Sequence, residues 1–305
     1  MVGFEMQSVG IIGNGFVGGS IAKAFAEDYI IKVYDINKDR SLNSFEETVK
    51  CDFVFVCLPT PMVDAEGGKP NLSIVHDFFD DVNSLGIFDR NHTKPDDSIF
   101  IIKSTVPVGT THFLCEKFET TRILHSPEFL RAKTASIDFL TATRHIVGHH
   151  DKLPENYLGP APEFFGNRCA ELFEKRFPGT RVIQMTSNES EFVKYSCNCF
   201  LATKVMFFNE IKLLADKMNM DWEVALKGIM SDGRIGHSHY QVPGFDGDMG
   251  FGGGCFPKDI NAFINTMEES EIDPIVLKAV WEQNKNVRKN WDWSTMESAV
   301  KKETV

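Results

Sequence analysis

The 305-residue sequence contains no apolar run approaching the roughly 20 residues that a membrane-spanning helix needs. Its opening stretch, MVGFEMQSVGIIGNG, passes almost directly into a strand pattern, so no secretory leader is expected. There is no low-complexity tract and no internal repeat. The seven cysteines include no CxxC pair, which argues against both a zinc site and a disulfide framework. Most should be small buried hydrophobes, Cys57 in DFVFVCLP among them. Cationic excess is missing too. With 32 Lys and Arg against 43 Asp and Glu, the net charge is −11. That balance excludes nucleic acid and anionic membrane as expected partners, and an anionic substrate would need local cations to hold it. These absences describe a soluble, cytoplasmic, metal-free protein, and the length allows two domains.

What is present up to about residue 185 is an alternation of short β-branched runs with helical patterns, the signature of a parallel sheet covered by helices. The expected strands are SVGII, IKVYD, FVFVCLP, SIFIIKS, RILHS, RHIVG and TRVIQM. Helices fall between them, for example over 72–85 and 168–177. After Met185 the character changes. Thr186 and Glu189 form a capping-box pattern that opens a helix expected to run to about Lys217. Two further helices start at Asp221 and Asp273, the latter with Pro274 at its first position. The reading is an α/β chain: a Rossmann-like domain over 1–185 and an all-helical domain over 186–305. Between the helices, Pro243 to Lys258 is too rich in glycine to be a core element and reads as a functional loop.

Gly13-Asn14-Gly15-Phe16-Val17-Gly18 follows the first strand and opens a helix, the context a GxGxxG dinucleotide fingerprint requires. Asp35 ends the second strand, where a carboxylate would accept the ribose hydroxyls and repel a 2′-phosphate, favouring NAD over NADP. An Asx turn at the strand end is the alternative role for Asp35. Thr60 and the Ser104-Thr105 pair sit at two more strand ends, where ligands of open parallel sheets bind. In the glycine loop, Cys255 is followed by Pro257, Lys258 and Asp259. The glycines would let a substrate approach and expose the sulfur, while Lys258 and a helix start would favour thiolate. A thiolate suits full oxidation of an alcohol to an acid, because it can hold the intermediate aldehyde as a covalent adduct. Lys194 and Asn198, four apart on the long helix among apolar neighbours, could stabilise an oxyanion or order water. A solvated helix face is the plain alternative.

The combination of GNGFVG, KSTVPVGT, SPEFLRA, the Lys194/Asn198 helix, RIG at 234–236 and GFGGGCFPKD resembles the UDP-glucose/GDP-mannose dehydrogenase family. The motifs stand in the family's order and cover about residues 8 to 285. VPGFDGDM before GFGGGCFPKD is more similar to the UDP-glucose members. The resemblance implies four-electron, NAD-dependent oxidation of UDP-glucose to UDP-glucuronate through a thiohemiacetal and thioester on Cys255. It implies Lys194 and Asn198 as oxyanion donors, and Asp259 with Thr105 and Glu128 around the water. Glu128, Phe129, Leu130 and Arg131 would line the sugar and phosphate site. Arg234 would reach substrate from the neighbouring subunit of a homodimer built on the helix over about 187–217. Arg40 would approach the adenosine end of NAD and Lys258 its nicotinamide side.

Two departures accompany the resemblance. After PEFL the family usually has an acidic residue and glycine, whereas here the chain reads Arg131-Ala132-Lys133-Thr134, so a cofactor-side carboxylate is missing. The family also has a third, Rossmann-like domain over the UDP, and with the sequence ending at Val305 that domain is expected to be absent. Uridine would then rest on the helical domain, through Tyr240 and Phe251 with Gly252 beside them, or on a partner. Two other functions stay open at this point: a two-electron β-hydroxyacid dehydrogenase, which has no use for Cys255, and a catalytically silent nucleotide-sugar binder.

Overall fold

The computed structural model describes residues 6–89, 96–155 and 157–301. The first five residues, part of the stretch read for a leader, and the last four, part of the polar tail, lie outside the described residues. By packing, the chain divides into two compact units. One comprises 1–60 and 72–194, the other 61–71 and 195–305.

The first unit is built on seven strands: β1 (Ser8–Ile12), β2 (Ile30–Tyr34), β3 (Phe53–Val56), β4 (Ile99–Ile102), β5 (Ile123–His125), β6 (Arg144–His149) and β7 (Arg181–Thr186). They lie in the order β2-β1-β3-β4-β5-β6-β7. All seven expected strands are there. Every residue of FVFV in β3 and IFII in β4 is buried, as central strands covered on both faces must be. The covering helices are α1 (Phe16–Phe25), α2 (Phe45–Val49), α3 (Ser73–Ser84), α4 (Thr110–Lys117), α5 (Ala135–Leu140) and α6 (Pro162–Arg176). One core packs Phe25, Phe55, Phe139 and Phe173, and another packs Phe78, Phe79, Phe88 and Phe100. Each such side chain contributes about 1.5–3 kcal/mol by leaving water.

The sheet is not parallel throughout, contrary to expectation. β5 and β6 pair antiparallel through His125 and Gly148. The cause lies in the connection. A parallel crossover must carry the chain back to the opposite end of the strands. Here the six-residue α5 settles beside the early turns of α1, with Ser136 Oγ 3.2 Å from Ser20 Oγ, and the chain re-enters from the end it left. The strand order reverses around β1, and a crevice at the carboxyl ends of β1 and β3 follows from that reversal.

The 31-residue helix α7 (Ser187–Lys217) opens with the expected capping box: Thr186 N–H donates to Glu189 Oε2 (2.8 Å) and Glu189 N–H to Thr186 Oγ1 (3.3 Å). Its first residues belong to the first unit and the rest to the second. The second unit adds α8 (Trp222–Met230), α9 (Phe256–Glu269) and α10 (Ile275–Val287). Asp221 caps α8 as expected, accepting from Val224 N–H at 3.2 Å. Asp273 does not cap α10. Pro274 is the residue before its first turn, and the Asp273 carboxylate pairs instead with Lys278 at 2.8 Å. The segment 61–71 packs here through carbonyls, which accept from the indoles of Trp281 (Glu66 O, 2.9 Å) and Trp293 (Ala65 O, 2.9 Å). No helix among the described residues is long and apolar enough to cross a membrane.

Glu191 on α7 is fully buried and caps α4, accepting from Gly109 N–H (2.6 Å), Thr111 N–H (2.8 Å) and Thr111 Oγ1 (2.6 Å). Burial pushes its carboxyl from an ordinary 4.5 up to about 7, against the pull of those hydrogen bonds. A raised carboxyl pKa means that the folded state holds the proton more tightly than the unfolded chain. The group's contribution is therefore full below pH 4.5 and is lost as pH rises through about 7. Glu191→Gln is expected to remove that slope. The gap between wild type and variant in urea unfolding should change by about 3 kcal/mol from acid to neutral pH. Parallel pH profiles would show that Glu191 does not titrate in this range.

Candidate active site

The nucleotide end of the site is built from β1 and the first turn of α1. A methyl group on Gly18 would lie 2.0 Å from Gly13 O, so only glycine lets helix and strand approach this closely. Gly15 precedes the helix, and a Cβ there would meet nothing within 4 Å, so its backbone borders open space where the first-turn N–H groups emerge. Alongside runs a groove of about 330 Å3, lined by Gly15, Phe16, Gly19, Lys23, Lys133 and Ser136. Asp35 takes the alternative role weighed for it and adds a second contact. Oδ1 accepts from Asn37 N–H (2.8 Å) as an Asx turn, and Oδ2 accepts from Asn14 N–H (2.7 Å), tying the second strand end to the glycine turn. Asn14 Nδ2 donates to Arg40 O (2.8 Å), while Arg40 itself is exposed. Thr60 and Ser104 direct their hydroxyls at backbone carbonyls of neighbouring strand ends: Thr60 to Thr105 O (2.7 Å) and Ser104 to Leu58 O (2.6 Å).

A second cluster, also in the first unit, joins Lys194 and Glu128. Lys194 is 3% exposed and Glu128 8%. The ammonium donates to Glu128 O (2.6 Å) and Oε1 (3.0 Å), and Glu128 Oε2 accepts from Leu130 N–H (2.6 Å). Lys194 is thus desolvated as its apolar neighbours implied, and the Glu128 carboxylate meets its charge. Phe129 lies beneath two cations, Arg144 at 4.5 Å and Lys194 at 5.4 Å. Leu130 packs against the core, whereas Arg131 is exposed and grips Asp138 in a fork (2.6 and 3.1 Å) that holds that carboxyl well below the usual range. Lys103, not anticipated, is buried and donates to Ser126 Oγ and Pro127 O (both 3.2 Å). Burial pushes its ammonium down to about 8. Its signal was a lysine closing the apolar strand SIFIIK.

The third cluster lies in the second unit. Asn198, one turn after Lys194 on α7, donates from Nδ2 to Asp259 Oδ2 (2.5 Å), and Lys258 pairs with the other carboxylate oxygen. All three side chains are buried. Cys255 is the residue preceding α9, with Phe256 and Pro257 in its first turn, so its sulfur belongs to a helix N-terminus. Lys258, read as a cation beside the thiol, has its ammonium paired with Asp259.

The glycines and Phe251 need correction. A Cβ on Gly252 would lie 2.2 Å from both Arg288 Nη2 and Asp292 Oδ1, so this glycine admits the polar segment after α10 rather than a substrate. Phe251 is buried against Trp281 and Phe256, and Asn284 holds its backbone, accepting from its N–H (2.7 Å) and donating to its carbonyl (3.0 Å). It has no face to offer a base. Tyr240 lines a cavity of about 450 Å3 with Trp222, Leu226, Met230 and Val242. Arg234 is 90% exposed, its guanidinium on Asp232. The sequence carried no reading of Asn284, Arg288 or Asp292, whose polar atoms meet the loop only after the chain has turned back.

The NAD-binding-domain model of the UDP-glucose/GDP-mannose dehydrogenase family matches residues 37–159, and the family's central-domain model matches 188–286. The UDP-glucose 6-dehydrogenase of Campylobacter jejuni is 31% identical over 92% of this chain and 72% of its own length. The chain belongs to the UDP-glucose/GDP-mannose dehydrogenase family. The UDP-glucose 6-dehydrogenase of Rickettsia felis is 33% identical over 87% of this chain but 55% of its own length, so the chain spans about half of such relatives. A UDP-glucose dehydrogenase structure from the hyperthermophilic archaeon Pyrobaculum islandicum superposes with a TM-score of 0.76 and 27% identity, over 94% of this chain and 69% of that one. The NAD-domain match begins after the glycine turn and Asp35, so the fit of those residues to a dinucleotide rests on their geometry.

Proposed function

We propose that this chain oxidises UDP-glucose to UDP-glucuronate with NAD, carrying the sugar on Cys255. The observation that bears most weight is a thiol set at the N-terminus of a 14-residue helix, in the same unit as the buried Asn198–Asp259–Lys258 network. Nothing in a two-electron alcohol oxidation uses such a thiol.

NAD fits the first unit: the glycine cradle, the open first turn of α1 and the Asp35 carboxylate would hold it, and it would supply the hydride acceptor. Exposed Arg40, with Thr60, Ser104 and Thr105 at the strand ends, belongs to the same reading. Cys255 thiolate adds to the C6 aldehyde, forming a C–S bond while the carbonyl oxygen takes a proton. Like the C6 alcohol on its way to the aldehyde, this adduct then loses a hydride from carbon and a proton from its hydroxyl, which leaves a thioester. Water then attacks, the C–S bond breaks, and the thiolate leaves as the carboxylate forms. Lys194 and Asn198 are the donors assigned to oxyanion charge, and Glu128, Thr105 and Asp259 the groups assigned to the water. A second copy of the chain is the proposed partner. Phe200, Phe207 and Leu214 are all exposed at seven-residue spacing on α7, an apolar stripe suited to a symmetric helix pair that would bring Arg234 to its neighbour. The cysteine usage fits a cytoplasmic setting.

Counting NADH per UDP-glucose consumed tests the reading. Two are expected. One would indicate a two-electron dehydrogenase, and none a silent binder.

A further inference from the structure

In the second unit a buried guanidinium outside the groups given a chemical role so far is tied to the glycine loop. Arg288, one residue past α10, has a side chain that is 2% exposed. Its Nη2 donates to Asp246 Oδ2 (2.6 Å) and Asp292 Oδ1 (3.2 Å), its Nη1 to Met249 O (3.3 Å) and its Nε to Asn290 O (2.9 Å). Asp292 in turn accepts from Gly253 N–H (3.2 Å), two residues before Cys255. Arg288 therefore holds the glycine loop at its start, through Asp246 and Met249, and close to its end, through Asp292. The missing side chain of Gly252 makes room for both partners. A lone buried guanidinium is costly, and a fork that reaches one carboxylate of the glycine loop and one of the segment after α10 fixes geometry as well as charge. A core that needed only to be stable would be served as well by apolar residues.

We infer that Arg288 is a positioning residue for the nucleophile: with Asp246 and Asp292 it clamps the glycine loop so that the Cys255 thiol is held at the N-terminus of α9. The inference rests on the reading of Cys255 as nucleophile, and the experiment keeps the two apart. The full chain is prepared with Arg288→Lys, Arg288→Gln, Asp292→Asn and Gly252→Ala. The last pushes on the clamp without removing a charge. For each protein, kcat and KM for UDP-glucose and NAD are measured, together with the rate of Cys255 alkylation by iodoacetamide and the circular dichroism spectrum. Displacing a reacting group by about 1 Å can cost about a hundredfold in rate. The expected result is a kcat lowered by tens of fold to about a hundredfold, KM values within about twofold of wild type, slower alkylation and an unchanged spectrum. Arg288→Lys, which keeps one positive charge between the two carboxylates, should lie between wild type and Arg288→Gln. Folded variants with wild-type kcat and alkylation rates would overturn the clamp. So would variants that lose activity only by unfolding, since that marks a stabilising role alone. If Cys255→Ala makes acid at the parent rate, the nucleophile reading fails, while the alkylation rates still report whether Arg288 sets the thiol.

Discussion

Cys255→Ala is expected to abolish net acid formation, with kcat falling on the order of 10⁴-fold or more, while NAD binding stays intact. The expectation of a large effect follows from the role: a thioester has no substitute carrier once the sulfur is gone. The separation from NAD binding follows from where the residues sit. The glycine cradle and Asp35 belong to the first unit, and Cys255 belongs to the second. Iodoacetamide should label Cys255 before the buried thiols. Burial pushes Cys57 and Cys169 up to about 12 and raises Cys51, Cys115 and Cys199 as well, so none offers appreciable thiolate at neutral pH. Bound UDP-glucose should protect Cys255 from the reagent. Calorimetry with NAD and a progress curve for acid check both halves, and acid formed at the parent rate by the alanine variant would contradict the role.

Lys194→Met is expected to cost stability and activity together, about 3–5 kcal/mol for the first, because it leaves the Glu128 carboxylate buried without its cation. The second effect need not follow from the first, and a double variant separates them. Lys194→Met with Glu128→Gln removes both charges while a glutamine can still accept from Leu130 N–H. Stability in urea should return by roughly half or more, since an uncharged pair no longer carries the burial penalty. Activity should not return, because the ammonium assigned to oxyanion charge is still missing. Recovery of kcat along with stability would reduce Lys194 to a structural ion pair.

How far such sites can be read from sequence depends on the range of the interactions that build them. The strands, the α7 capping box and the Asp221 cap are local, set by patterns within a few residues, and all were legible. GNGFVG is local as well, and the close approach of Gly18 to Gly13 O is a consequence of its spacing. The reversal of β6 was not legible, because SPEFLRAKTASIDFL gives no sign that its short helix would settle beside α1 rather than cross the sheet. Phe251 was misassigned for a related reason. An aromatic in a glycine loop reads as exposed until Trp281 and Asn284, about 30 residues later, are seen to enclose it. The pairing of Lys258 with its neighbour Asp259 likewise shows only in the fold. The long-range partners Asn284, Arg288 and Asp292 had no local pattern at all, since single polar residues near a helix end look like ordinary solvated surface.

In the proposed reaction the sugar becomes covalently attached to Cys255 as an acyl group. The most direct measurement is mass spectrometry of the Cys255 peptide after acid quenching during turnover with UDP-glucose and NAD. This peptide alone is expected to carry the added mass of the oxidised UDP-sugar, the adduct should disappear on treatment with hydroxylamine, and omitting NAD should prevent it. Unmodified Cys255 at every quench time while two NADH accumulate per sugar, or an adduct on another cysteine, would contradict it.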